Sequence, residues 1–202
     1  MKLFMNEGSP FARKARIFAR EKGLSDRIQE VVTAVSPVDA NSALARENPL
    51  IKIPVLVTDD GARLYDSGVI CEYLDTLHER ARAFPSSGPA RFETLGQQAL
   101  CDGALDAAIL CRYELALRPV GLRWNEWIEG QRLKIGGALS VLETEAQSWP
   151  DEFEMAQIGA VCVLGYLDFR FPEWEWRRTH PQLAGWYRAA SIRPSVVATA
   201  PA

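Results

Sequence analysis

The sequence predicts an α+β protein of two domains, a mixed domain of strands and helices at residues 1–80 and an all-helical domain at residues 89–202. In the first 80 residues, the hydrophobic pattern switches repeatedly between the spacing of strands and that of helices. Residues 81–88 are rich in proline, serine and glycine, as expected for a linker. The prolines that follow are about thirty residues apart, so each interval accommodates a helix of about seven turns.

The mixed domain is expected to alternate strands with helices. Apolar residues at helical spacing predict a helix at Phe11–Lys22, and Gly23 follows its end. A β-branched run predicts a strand at Ile28–Val35. After this strand, a short helix is expected to end before the proline at position 49. The first strand and that short helix are expected at Lys2–Met5 and Ser42–Glu47.

A hairpin and a third helix complete this domain. Two short strands, Val55–Thr58 and Ala62–Tyr65, flank a turn that contains an Asp-Gly pair, which is favoured in hairpin turns. Asp66 or Ser67 can cap the helix that follows. Its apolar face includes Ile70, Tyr73, Leu74 and Leu77.

The second half is expected to be helical throughout. Two long helices lie in the intervals bounded by Pro89, Pro119 and Pro150. A third is predicted at Met155–Phe169 and a fourth at Pro181–Ala190.

Charge and hydropathy exclude several classes of protein. The chain has 202 residues, and its 23 basic and 26 acidic side chains are spread evenly, without the basic excess of a nucleic-acid-binding protein. No apolar run approaches the ~20 residues of a membrane span. The N-terminus has no apolar stretch long enough for a signal peptide. We therefore expect a cytoplasmic protein that binds neither nucleic acid nor membrane.

Cysteines and histidines are too few and too scattered to indicate a metal site. The four cysteines, at positions 71, 101, 111 and 162, form no CxxC pair, and His78 and His180 are the only histidines. We expect free thiols and no bound metal.

Three motifs lie at the ends of the predicted elements. They are Ser9–Lys14 (SPFARK), Asn48–Leu56 (NPLIKIPVL) and Tyr65–Leu74 (YDSGVICEYL). Together with Leu164–Arg170 (LGYLDFR), their order and spacing resemble the cytosolic glutathione S-transferase family. The resemblance implies a thioredoxin-like domain, a linker and an all-helical domain. It also implies a homodimer that binds glutathione on the first domain.

Ser9 is the residue that the resemblance implies for catalysis. A free thiol has a pKa of about 8.5, and lowering it by two units requires about 2.7 kcal/mol of preference for the thiolate. A hydrogen bond to a charged group contributes about 1.5–3 kcal/mol, and a helix N-terminus adds about 0.3–1 kcal/mol. The Ser9 hydroxyl, assisted by the backbone N–H of Phe11 or Ala12, would supply most of that preference. The alternative is that Ser9 only caps the first helix.

The resemblance also implies that residues 52–54 and 66–67 hold the tripeptide. Pro54 matches a proline that is cis in thioredoxin-like domains, and the backbone of Ile53 would bond to the cysteinyl part of glutathione. Lys52 would pair with the glycyl carboxylate. At the N-terminus of the third helix, Ser67 would hold the γ-glutamyl carboxylate and Asp66 its ammonium group. The alternatives are a proline at a strand start, a solvated lysine and an ordinary helix cap.

The acceptor is expected to bind against the helical domain. Asp102 and Asp106 share one face of the first long helix, where they would meet the substrate or the partner subunit. Alternatively, they belong to a solvated face or pair with Arg112. Tyr113 and Trp124 are further candidates for an apolar acceptor pocket, although aromatic residues at helical spacing also belong to cores.

Glu154 and Gln157 lie where relatives begin a helix with serine or threonine, followed three residues later by aspartate. The usual residues of that cap are absent here, and losing a cap costs about 1 kcal/mol. We therefore expect Glu154→Ser with Gln157→Asp to raise the melting temperature.

The sequence thus predicts a glutathione transferase, as in detoxification, whose bound thiolate attacks a small apolar electrophile. Family members that form a mixed disulfide with glutathione carry cysteine at the position of Ser9, so exchange through an enzyme cysteine is not expected. Two alternatives stay open. One is a scaffold or regulatory protein with the same fold and no turnover. The other is a glutathione-dependent peroxidase or dehalogenase.

Overall fold

The computed structural model describes residues 1–150 and 152–202. It contains a mixed sheet of four short strands, β1 (Lys2–Met5), β2 (Gln29–Val32), β3 (Val55–Val57) and β4 (Arg63–Leu64). The strand order is β2–β1–β3–β4, with β1 and β2 parallel and the other two pairs antiparallel. Parallel neighbours need a crossover between them, and the first helix of the chain provides it.

Three helices accompany the sheet, namely α1 (Pro10–Glu21), α2 (Ser42–Glu47) and α3 (Ser67–Asp75). The predicted order of strand, helix, strand, helix, strand, strand and helix is confirmed. Strand β2 is shorter than the predicted Ile28–Val35 because its partner β1 has only four residues. Their register pairs Lys2 with Gln29 and Met5 with Val32.

Five helices follow in the part of the chain that the structure describes: α4 (Pro89–Ala116), α5 (Asn125–Glu145), α6 (Met155–Arg170), α7 (Pro181–Ala190) and α8 (Pro194–Val197). Helix α6 is buried along most of its length, as expected for a helix that is apolar on every side. Gly159 allows α4 to approach it closely, since a Cβ there would lie 2.8 Å from the Sγ of Cys101. No helix among the described residues is both long and apolar enough to span a bilayer.

Charged side chains on α1 connect the sheet to the helical domain. The ammonium group of Lys14, which is fully buried, contacts both carboxylate oxygens of Asp102 on α4, at 2.6 and 2.7 Å. At the other end of α1, the carboxylate of Glu21 accepts hydrogen bonds from Arg193, at 2.9 Å, and from the hydroxyl of Ser195. Each contact compensates a charge that would be destabilising if it were buried alone.

Helix α6 begins with a capping box of unusual composition. The backbone N–H of Glu154 donates to Oε1 of Gln157 at 3.2 Å, and the Glu154 carboxylate lies over the N–H of Gln157. The longer side chains thus take the place of the usual Ser/Thr–Asp pair, and the expectation of a missing cap is wrong. The stabilisation expected from Glu154→Ser with Gln157→Asp accordingly loses its basis.

The loop between α2 and β3 is held by Asn48, whose side chain is almost fully buried. Its Nδ2 donates to the carbonyl oxygen of Lys52 at 2.9 Å, and its Oδ1 accepts from the N–H of Leu50 at 3.0 Å. Between these contacts, Ile51 has a φ of 53°. That value lies in the left-handed region, which β-branched residues rarely adopt.

We predict that Glu21 stabilises the contact between α1 and α8 in a pH-dependent way. Burial by itself raises the pKa of Glu21, but the hydrogen bonds from Arg193 and Ser195 outweigh it and lower this pKa below its ordinary value of 4.5. The stabilisation is therefore present above the ordinary pKa and is lost as the pH falls through the lower folded value. Glu21→Gln should lower the free energy of unfolding by about 1–2 kcal/mol at neutral pH.

Urea unfolding at neutral pH and at about pH 3.5 measures this effect, because the carboxylate of the unfolded chain, with its ordinary pKa of 4.5, is largely protonated at the lower pH and the stabilisation is then smaller. The loss caused by Glu21→Gln should shrink at the lower pH. The exposed Glu79 offers a matched control, since Glu79→Gln should change stability little at either pH. A loss of equal size at both pH values for Glu21→Gln would contradict the assigned role.

Replacing Ile51 tests the strain in the Asn48 loop. A left-handed conformation costs a non-glycine residue about 1–2 kcal/mol, whereas glycine loses about 0.5–1 kcal/mol through its greater flexibility. Ile51→Gly is therefore expected to raise the melting temperature by about 1–3 °C. Ile51→Val retains the β-branch and should give no increase. Thermal unfolding followed by circular dichroism compares them, and a lower melting temperature for the glycine variant than for the valine variant would refute the strain argument.

Candidate functional site

Ser9 lies between β1 and α1, at the N-cap of the helix. Its Oγ accepts a hydrogen bond from the N–H of Ala12 at 3.2 Å, so a capping role is present. A hydroxyl carries one donor and two acceptor lone pairs, so Ser9 can cap the helix and still donate to an anion. The N–H of Ala12 is occupied by this cap. The N–H of Phe11, in the first turn, lacks an intrahelical acceptor and is the better second donor.

Ile53 and Pro54 follow the Asn48 loop, and the peptide bond between them is cis, as the resemblance implies. Pro54 is buried and Ile53 is half-buried, so the backbone of Ile53 lies at the margin of the sheet domain. Sequence analysis missed the role of Asn48, which fixes the carbonyl of Lys52 beside this pair. No sequence pattern identifies a buried asparagine in a loop. The position of Asn48 before a proline indicated only the end of a helix.

The N-terminus of α3 combines an exposed carboxylate with a buried hydroxyl. Asp66 is the N-cap and accepts from the N–H of Gly68 at 2.9 Å through Oδ1, which leaves Oδ2 outside the cap. Ser67 occupies the first helical position and is 1% exposed. The side chain of Gln98, on α4, also reaches the N-terminus of α3. Its Nε2 lies 2.3 Å from the position that a Cβ on Gly68 would take. This amide, whose Oε1 is buried without a partner among the described residues, is a second residue that sequence analysis missed.

Asp102 of α4 points towards the sheet domain. It pairs with the buried Lys14, so neither a solvated face nor a pairing with Arg112 describes it. Burial raises the pKa of Asp102, while the charge of Lys14 opposes that rise. Burial would lower the pKa of Lys14, but Asp102 outweighs it and raises that pKa. Both pKa shifts arise in one buried ion pair, which holds the sheet domain against the helical domain.

Asp106 lies one turn further along α4 and is exposed. Partial burial raises the pKa of its carboxyl group, the charge of Lys52 lowers it, and the charge of Asp66 raises it further. Lys52 and Asp66, from distant parts of the chain, are therefore both within electrostatic range of Asp106. The region between these two residues of the sheet domain and Asp106 of α4 is called the cleft below.

The end of α6 lies over the turn between β1 and α1. A Cβ on Gly8, next to the candidate catalytic serine, would lie 2.9 Å from Nη2 of Arg170 and 3.7 Å from Cε1 of Phe169. Burial raises the pKa of Tyr166, one turn before Arg170, and both Arg170 and Tyr113 act on this hydroxyl. Tyr113, which is 37% exposed, thus shares this end of the cleft with Tyr166 and Arg170.

Trp124 lies outside α4, at the start of α5. Its side chain is 62% exposed at the N-cap of α5, and its backbone N–H donates to Glu114 at 3.0 Å. Asp106 and Tyr113 are seven residues apart and therefore share one face of α4, whereas Trp124 lies beyond the end of that helix. Arg170 was not among the predicted site residues, because the motif that contains it, Leu164–Arg170, served only as part of the family resemblance.

The four cysteines are free and buried. Burial raises the pKa of Cys71 to about 12 and those of Cys111 and Cys162 to about 11, and it also raises that of Cys101. A thiol of such high pKa is a poor nucleophile at neutral pH. Within residues 1–150 and 152–202, no three His, Cys, Asp or Glu side chains are grouped as metal ligands.

Known proteins share this architecture. Residues 8–77 match the family model of the glutathione S-transferase N-terminal domain, and residues 125–189 match that of the C-terminal domain. The chain is 33% identical to the uncharacterized GST-like protein YibF of Escherichia coli (strain K12). That comparison covers 100% of this chain and 98% of YibF.

Two solved structures from Pseudomonas fluorescens Pf-5 are similar along the whole chain. A glutathione transferase family member with bound glutathione is 47% identical, with a TM-score of 0.94, and the match covers 100% of this chain and 98% of that one. A second structure, with bound S-(propanoic acid)-glutathione, is 46% identical, with a TM-score of 0.90 and complete coverage of both chains. Since family models match in both halves and these relatives match throughout, the chain belongs to the glutathione S-transferase family.

Proposed function

We propose that the protein is a glutathione transferase that acts as a homodimer, binds glutathione on its sheet domain and conjugates it to a small electrophile. The observation that carries the proposal is the grouping of complementary charges around one cleft. Lys52 comes from a loop and Asp66 from a helix cap, yet the charges of both act on the carboxyl group of Asp106 on α4. Glutathione carries two carboxylates and one ammonium group, so a binding site needs charges of both signs.

The two ends of the tripeptide would bind to different elements. The γ-glutamyl carboxylate would bind at the N-terminus of α3, where unpaired N–H groups and the hydroxyl of Ser67 favour an anion. Oδ2 of Asp66 would accept from the γ-glutamyl ammonium group, because Oδ1 already serves the helix cap. Lys52 would pair with the glycyl carboxylate. The backbone of Ile53 would bond to the cysteinyl residue between them.

The chemical step would be attack by the glutathione sulfur on the acceptor. The hydroxyl of Ser9 and the N–H of Phe11 would donate to the thiolate, which favours ionisation of the thiol near neutral pH. None of the four cysteines competes for this role, since each has a raised pKa. The Pseudomonas fluorescens relatives support the proposal, because one holds glutathione and the other a glutathione substituted at sulfur.

Calorimetric titration of reduced glutathione tests the binding site. We expect saturable binding, and Ser67→Ala should weaken it about tenfold, since a hydrogen bond to a charged group is lost. Ser140→Ala, on the exposed side of α5, is the matched control and should leave the affinity unchanged. Absence of binding up to millimolar glutathione would overturn the proposal in favour of a scaffold protein.

Ser9→Ala tests thiolate stabilisation separately from binding. The pKa of the bound thiol, measured by the ultraviolet absorbance of the thiolate across a pH series, should rise towards the free value of about 8.5. Ser9→Thr keeps a hydroxyl for both the cap and the thiolate, so it should largely retain the lowered value. An unchanged thiol pKa in Ser9→Ala would show that backbone N–H groups alone stabilise the anion.

A further inference from the structure

We propose that Arg170 binds an anionic group of the acceptor, so that the electrophile is a small carboxylate rather than a wholly apolar molecule. This inference rests on the proposed transferase function and narrows its substrate class. It follows from the position of the guanidinium group, from the lack of a counter-ion for it among the described residues, and from the groups near it.

Arg170 ends α6 directly over the turn that precedes Ser9. The Cβ position of Gly8 lies 2.9 Å from Nη2 of Arg170, so the guanidinium group can lie against this turn only because residue 8 has no side chain. It is therefore next to the part of the chain that carries the hydroxyl proposed to hold sulfur. An acceptor that approaches this sulfur must approach Arg170 as well.

Arg170 has no counter-ion within residues 1–150 and 152–202. Its Nε atom is buried and has no hydrogen-bond partner, and no carboxylate among the described residues forms an ion pair with it. Asp168, the nearest acidic residue in sequence, already forms hydrogen bonds with other side chains. Arg177 donates to both of its oxygens at 2.6 Å, and the indole of Trp176 donates to Oδ1 at 2.8 Å. Nε is covered by the protein, so a ligand would accept from the Nη groups at the end of the guanidinium, where a charge without a paired carboxylate favours an anion.

Arg170 is held in a defined orientation. Its Cζ lies 3.9 Å from the ring centroid of Phe169, and its guanidinium group hydrogen-bonds to the hydroxyl of Tyr166. A guanidinium group that is fixed in this way can bind a carboxylate through two parallel N–H bonds. Such recognition is directional, which a lysine at the same place would not reproduce.

The charge along α4 changes sign between the two ends of the cleft. Asp106 lies near Lys52 and Asp66, where the tripeptide is proposed to bind. Two turns later, Arg112 and Tyr113 act on the hydroxyl of Tyr166, and Arg112 forms no ion pair within the described residues. Two cations and a second phenol group are therefore within electrostatic range of the Tyr166 hydroxyl, and the positive charge at this end favours an anion.

The reaction balances with glutathione as the only co-reactant. With an unsaturated acid, the sulfur forms a C–S bond at the carbon β to the carboxylate, the π electrons move to the α carbon, and that carbon takes one proton. With a halogenated acid, the same attack expels the halide together with its bonding pair. The carboxylate is unchanged in either case, so Arg170 would bind and orient the acceptor without taking part in bond exchange.

Binding of two S-substituted glutathiones tests the role of Arg170 without requiring turnover. S-(2-carboxyethyl)glutathione carries the anion, and S-butylglutathione is a neutral probe of similar size. Calorimetry with the wild-type protein should give at least about tenfold tighter binding of the acid, the range expected for a charge-assisted hydrogen bond. Arg170→Met should abolish this preference, and Arg170→Lys should retain part of it. Arg188→Met, an equal change of charge at an exposed position of α7, should keep the preference.

Turnover provides a second readout. We expect kcat/KM with 4-chloro-3-nitrobenzoate, divided by the uncatalysed rate with glutathione, to exceed the same ratio for its methyl ester. Arg170→Met should bring the two ratios together, mainly through KM for the acid, because a purely binding interaction has been removed.

The outcomes separate the two proposals. If glutathione binds but the wild-type protein shows no preference for the acid, the carboxylate proposal is wrong and the transferase proposal stands. If the preference persists in Arg170→Met, another cation recognises the anion and the assignment to Arg170 is wrong. If glutathione does not bind, both proposals fail. The wild-type preference is measured without any variant, so the proposal is tested even if Arg170→Met does not fold.

Discussion

The ion pair between Lys14 and Asp102 constrains this molecule more than any other single contact. The ammonium group is completely buried, so it depends on the carboxylate from the other domain. Removing one partner of such a pair typically costs about 3–5 kcal/mol, because the remaining charge is left without compensation. The pair therefore fixes α1 relative to α4. Ser9 at the start of α1 and Asp106 one turn beyond Asp102 owe their relative positions to it.

Helix α1 is unusual because both of its faces are buried. Its apolar face packs towards the sheet and α3, and its basic residues face the helical domain and the sheet edge. Arg13 donates to the carbonyl oxygen of Val196 at 3.2 Å, and Arg16 donates to Glu30 at 3.0 Å. What is a solvated polar face in most amphipathic helices is here a set of specific contacts. The charges that keep the domains together thus lie on the same helix that begins at the candidate catalytic residue.

The sequence allowed prediction of those features that depend on neighbouring residues. Helical spacing and turn residues predicted the elements, whereas the cis peptide bond before Pro54 was implied by the family resemblance that the local motif carries. Contacts between distant segments could not be predicted in this way. The partner of Asp102 is 88 residues away in the chain, and Arg170 meets Gly8 only because α6 returns to the start of α1. The cap at Glu154 was misjudged for another reason, since residue type alone does not show how far a longer side chain reaches.

The burial of all four cysteines has a chemical consequence for the lifetime of the protein. Electrophiles and peroxides react with thiolates, and a pKa of about 11 to 12 leaves almost no thiolate at neutral pH in Cys71, Cys111 or Cys162. Free glutathione in the same solution is ionised to a far greater extent and is fully accessible. An electrophile that meets both thiols therefore reacts faster with glutathione than with these cysteines. The burial that packs the core thus also protects its thiols from alkylation and oxidation while the chain is folded.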